Sequence, residues 1–99
     1  MDVESDEEEL MASIYKFLNG QITLNSVANT VYSGTLIRLC HAGTGSTSHV
    51  ITQKYANGTT YATFTILAQS EMLIEKQATD KLVVDSGTDV TANRIAYKN

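Results

Sequence analysis

From Gln21 onward apolar and polar positions alternate with a period of two, the spacing of strands with one buried face. Ile22, Leu24 and then Val31 mark one or two short opening strands. Thr35 to Ala42 reads as a strand, bounded by Ser33-Gly34 and by the loop Gly43-Thr44-Gly45-Ser46. His49 to Ala56 is the next, and Asn57-Gly58 predicts a type I′ hairpin turn with positive φ at both positions. Thr59 to Ala68 returns with Ala62, Phe64 and Ile66 on one face and Thr63 and Thr65 on the other. Glu71 to Lys76 alternates Met72 and Ile74 against Leu73. Lys81 to Asp85 is short, and Ser86-Gly87-Thr88 turns the chain. Asp89 to Lys98 closes the pattern, with Thr91, Asn93, Ile95 and Tyr97 opposed to Val90, Ala92, Arg94 and Ala96. About six to eight short strands, spaced roughly 8–12 residues apart without intervening helices, predict a small antiparallel sandwich or barrel. The expected fold is mainly β, a sandwich of the jelly-roll or Ig-like kind over residues 21–99.

In front of it, Ser5 to Leu18 reads as an amphipathic helix, an arm over residues 1–20. Ser5 and Glu8 have the spacing of a capping box. Acids in the first turn suit the positive end of the helix dipole. Leu10, Met11, Ile14, Phe17 and Leu18 fall on one helical face, and Asn19-Gly20 supplies a stop. A helix of about four turns is weak alone. Its apolar stripe must therefore dock, on its own β domain or on a neighbouring subunit. These five residues are the candidate partner-binding set.

Charge sharpens this division. Residues 1–9 hold 6 of the 11 acids and no base, so the rest of the chain has 5 acids against 7 bases. The acidic balance belongs to the tail. The bases of the β part are scattered, without the basic, aromatic-lined stripe that nucleic-acid binding needs. The acidic start is the reverse of a secretory leader, and no apolar run nears the roughly 18 residues that span a membrane. A soluble protein made in a cytoplasm is expected.

Candidate chemistry is sparse. Cys40, among Leu36, Ile37 and Leu39, reads as a buried strand thiol, and its neighbour His41 should point to the opposite face. Leu82-Val83-Val84-Asp85-Ser86-Gly87-Thr88 has the apolar-strand and Asp-Ser-Gly form of an aspartic protease. That chemistry needs two such Asp residues sharing a proton. Only 12 residues follow Gly87, which leaves no room for the flap and the second Gly-bearing turn, so the motif reads as a β-turn. Gly43-Thr44-Gly45 leads into a strand, whereas a phosphate-cradling loop opens a helix. His41 and His49 flank that loop and could hold a metal if they face each other, but with no third ligand in view they read as ordinary surface residues. Asn57-Gly58-Thr59 matches a glycosylation sequon that reads simply as the hairpin turn. Tyr55 and Tyr61, across that turn, read as a packed cross-strand pair or part of a binding face. The sequence thus predicts no enzyme, no catalytic residue, no cofactor and no metal.

Three segments carry a family resemblance. Thr30-Val31-Tyr32-Ser33-Gly34 followed by Thr35 to Ala42, then Val50 to Ala68, then Glu71 to Ile74 with Asp80 to Val84 and Asp89 to Tyr97, resemble the strand pairs of small β-sandwich structural proteins of tailed bacteriophages of marine bacteria, including cyanophages. Ala68-Gln69-Ser70 stands where those domains often have Pro-Ala-Gly, and the acidic helix is foreign to the common pattern. The resemblance implies a non-catalytic virion component that binds and stabilises the capsid or the head–tail assembly. It would be a decoration (cement) protein more than a neck or tail subunit, present in symmetric copies. Its partners would be other virion proteins, without nucleic acid or membrane. The alternative is a small acidic inhibitor or regulatory module acting on a host protein.

Overall fold

A computed structural model describes residues 14–97 of the 99-residue chain. They form eight strands: β1 (Tyr15–Phe17), β2 (Ile22–Thr23), β3 (Leu36–His41), β4 (His49–Lys54), β5 (Thr60–Ile66), β6 (Glu71–Glu75), β7 (Lys81–Val84) and β8 (Val90–Tyr97). The strands make two antiparallel sheets. The larger runs β1-β8-β3-β6, with β2 also on β8, and the smaller runs β5-β4-β7.

Alternation places the core. In β3, Ile37, Leu39 and His41 are buried while Leu36, Arg38 and Cys40 lie half-buried on the other face. Ile37 pairs with Ile74, Leu39 with Met72 and Ala92, and His41 with Val90. In the smaller sheet Ile51 pairs with Phe64 and Val84. Ile37, Leu39, Val90 and Ala92 of one sheet join Ile51, Ile66, Leu82 and Val84 of the other in one buried cluster, with Leu24 and Val31 between elements. A second buried layer lies on the far face of β8, where Thr91, Asn93 and Ile95 are covered. Asn93 there donates its amide to the Asn19 carbonyl.

The segment between β2 and β3 crosses from the larger sheet to the smaller. Asn29 exchanges backbone hydrogen bonds with Leu82, and Val84 N–H donates to the Asn25 carbonyl, which covers the outer edge of β7. Val31 is buried here, but not in a strand: Val31, Tyr32 and Ser33 take φ of 53°, 57° and 55°. Left-handed backbone costs roughly 1–2 kcal/mol per L-residue. The turn is held by Gly34 N–H to the Val31 carbonyl and by Val31 N–H to Asn29 Oδ1. The expected opening strand at Thr30–Gly34 is therefore a turn.

Two further expectations change. The helix reading fails where it can be checked, and no helix occurs among the described residues. Tyr15, Lys16 and Phe17 pair with Tyr97, Ala96 and Ile95, and Leu18 N–H donates to the Arg94 carbonyl. The β8 edge offers these residues inter-strand hydrogen bonds and an aromatic cross-strand fit, which outweighs the weak propensity of a short helix. Ser5, Leu10 and Met11 lie outside the described residues. At the β4–β5 hairpin only Gly58 has positive φ, 91°. Gly58 N–H donates to the Tyr55 carbonyl and Asn57 Oδ1 accepts from Thr59 N–H. This is a four-residue turn, 55–58, whose last residue is a left-handed glycine, the longer hairpin form, in place of the type I′ turn.

Candidate functional site

Pairing of β3 with β8 and of β4 with β7 brings the end of β3, the start of β4 and both ends of the β7–β8 connection to one end of the two sheets. His41 terminates β3 and His49 begins β4. Both point inward, 1% and 4% exposed, and their rings stack with centroids 5.2 Å apart and planes at 30°. They are core residues, not the surface residues that the sequence suggests.

Asp85 and Asp89, on either side of the Ser86-Gly87-Thr88 turn, close on His49. Its Nδ1 lies 2.8 Å from Asp85 Oδ1 and its Nε2 2.9 Å from Asp89 Oδ2. Carboxylates only accept, so each contact is a charge-assisted N–H donation when the ring is protonated. The Asp89 and Asp85 hydrogen bonds hold the His49 pKa above its usual value, against the desolvation that opposes charge. The same bond to His49, with the Val50 N–H, holds Asp85 below the usual carboxylate range. Asp85 Oδ2 accepts from Val50 N–H at 3.1 Å and Oδ1 from Ser86 N–H at 2.7 Å. The Asp-Ser-Gly carboxylate thus serves an imidazole and two backbone amides rather than a second aspartate.

The Gly-x-Gly loop takes part through packing. A Cβ on Gly43 would meet Asp89 Oδ1 at 2.2 Å, so only glycine lets the loop lie on that carboxylate. Ala42 N–H donates to the Asp89 carbonyl at 2.8 Å. At Gly87 a φ of 77° requires the residue that bears it easily. His41 Nε2 lies 2.7 Å from the Thr47 carbonyl, so it carries the proton and donates. His41 Nδ1 is buried without any hydrogen-bond partner.

The far end of the same sheets holds a second polar group. Tyr61 Oη donates to Asp80 Oδ2 at 2.8 Å, which also accepts from Gln77 N–H at 3.2 Å. Lys76 Nζ donates to the carbonyls of Gln77 and Ala78. With Glu75 these residues line an open hollow. Tyr61 stacks on Tyr55 with centroids 4.5 Å apart, the cross-strand packing of the two readings the sequence allowed.

A third region is the outer face of the larger sheet. Phe17, Leu73 and Tyr97 are 52%, 39% and 42% exposed. Arg38 lies over the Phe17 ring, 5.6 Å from its centroid, and pairs with Glu71, which also accepts from Tyr15 Oη. Of the sequence-derived partner set, Ile14, Phe17 and Leu18 are exposed at or beside β1, but as extended chain they do not form the expected helical stripe. Leu10 and Met11 fall outside the described residues. Cys40 is half-buried on this outer face, opposite to His41 as its strand position requires.

Neither protein families, nor curated proteins, nor solved structures give a match for this chain.

Proposed function

We propose that this protein is a non-enzymatic structural component of a tailed-phage virion, made in the host cytoplasm, that binds and stabilises the capsid or the head–tail assembly. A decoration (cement) role is favoured over a neck or tail role. The finer architecture that goes with it is a β-sandwich of the jelly-roll or Ig-like kind. The observation that carries the reading is the outer face of the larger sheet. Phe17, Leu73 and Tyr97 present large apolar surface beside the Arg38–Glu71 pair. Aromatic side chains with Arg are what protein interfaces favour. The family resemblance supplies the partner class: major capsid or neck and tail subunits, met by several symmetric copies of this chain. Leu10 and Met11, with Ile14, Phe17 and Leu18, would extend the contact towards the acidic tail.

Mass spectrometry of purified virions, with copy numbers, tests this. The chain should be present at a multiple set by the particle's symmetry. Phe17→Glu should stay folded by circular dichroism yet drop out of particles. Absence from particles together with capture of a host enzyme would favour the second reading, an acidic regulatory module, for which the six acids of residues 1–9 speak.

A further inference from the structure

We propose that His41, His49 and Asp89 bind a divalent transition-metal ion, zinc by preference, which ties the 42–48 loop to the 85–89 turn. This is independent of any role in a virion. The three residues each offer one ligand atom, and these atoms lie within 4.8 Å of one another. Two imidazole nitrogens and one carboxylate oxygen form a donor set suited to zinc, with a fourth position open to solvent or to a partner's side chain. Cobalt and nickel suit the same donors.

The second observation is the state of His41. Its Nε2 is committed to the Thr47 carbonyl, so the lone pair of the neutral ring sits on Nδ1. That nitrogen is buried and has no hydrogen-bond partner. A buried acceptor without a donor costs free energy, and a metal ion would satisfy it. His49 has the complementary arrangement. Its Nδ1 faces Asp85, which as a carboxylate partner would fix the tautomer that frees Nε2 for a metal. Metal-ligating histidines regularly have this support from a carboxylate or a backbone carbonyl, and here one has each. His49 Nε2 and Asp89 Oδ2 already stand 2.9 Å apart, so a small opening of that pair admits an ion. The Asp89 side chain is 37% exposed, which leaves it room to turn.

The residues come from two connections distant in sequence: the β3–β4 loop, with the end of β3 and the start of β4, and the β7–β8 turn. A metal there would join both sheets at one end, where the loop of Gly43 already rests on Asp89.

The test uses the full chain, stripped with chelator and titrated with Co2+ and then Zn2+. The expected result is one Co2+ per chain with the visible absorption of a four-coordinate site, displaced by Zn2+, and a thermal midpoint that rises with Zn2+. Asp89→Asn keeps the side-chain shape and should weaken Co2+ binding at least on the order of 100-fold, while the circular dichroism of the metal-free protein is unchanged. Asp85→Asn should weaken it about 10- to 100-fold, as loss of a supporting carboxylate does. Two results overturn the proposal. One is no visible Co2+ spectrum and no Zn2+-dependent rise in the midpoint. The other is binding that Asp89→Asn leaves intact.

Discussion

At one end of the two sheets Asp80 is 5% exposed and accepts from both Tyr61 Oη and the Gln77 N–H, while Lys76, also 5% exposed, donates to two carbonyls. At the other end His41 is more deeply buried still, yet one of its ring nitrogens has no partner. Next to it two carboxylates converge on a single imidazole. The first group ties the β6–β7 connection to β5, and none of its fully buried side-chain nitrogen or oxygen atoms lacks a partner. In the second, acceptors and lone pairs crowd around one point. Buried polar groups are normally satisfied. A closed network is what folding alone requires, whereas an unclosed one calls for an explanation, which the proposed ion supplies at His41.

The contrast is broken most severely by Asp80→Ala. It removes the acceptor of two donors and the carboxylate whose charge favours protonated Lys76, whose pKa burial pushes down. An uncompensated buried charge and stranded donors should cost about 3 kcal/mol, read as a lower urea midpoint at unchanged slope. At the other end His41→Leu should behave differently. It removes a half-bonded ring of similar volume, and the Thr47 carbonyl it releases lies in an exposed loop residue. The change in the metal-free protein should stay within about 1 kcal/mol of zero. A loss as large as that of Asp80→Ala would mean that both ends are structural closures.

The difference between the ends also governs what could be read from the residues alone. The strands from β3 to β8 are legible because apolar and polar residues alternate along most of them and Gly, Asn, Ser or Asp stands in each connection between them. The first strand was not. Ile14, Phe17 and Leu18 have helical spacing, and Tyr15 and Phe17 have strand spacing, and only the distant β8 decides between them. Nor could local pattern show that Val31 and Tyr32 adopt left-handed backbone. At the histidine end both rings were visible as candidates, flanking a Gly-rich loop. The partners of His49, Asp85 and Asp89, lie 36 and 40 residues further on, and only closure of β4 on β7 and β3 on β8 brings them near. The signal that could have found them is the pairing of the two Asp residues about a glycine turn. In the sequence that motif resembles a protease's Asp-Ser-Gly turn instead. Gly43 was missed because its need is steric, set by Asp89, and no local pattern shows such contacts.

The smallest effect sharpens the comparison from the closed end. Burial first, then the hydrogen bond to Asp80, then the charges of Asp80 and Tyr55 push the Tyr61 phenol up to about 12 from an ordinary 10. A folded pKa above the unfolded one means that the protonated phenol's stabilising contribution is fully present below pH 10. It is lost as pH rises through about 12. In a spectrophotometric titration of the folded protein, one tyrosine should therefore ionise last and be absent from Tyr61→Phe. Asp80→Asn keeps an acceptor but removes the charge. It should lower that last ionisation only part of the way, because burial is the larger cause and stays in place. A drop all the way to 10 would mean that Asp80 alone holds the phenol. The closed end would then depend on a single carboxylate, as the histidine end depends on its pair.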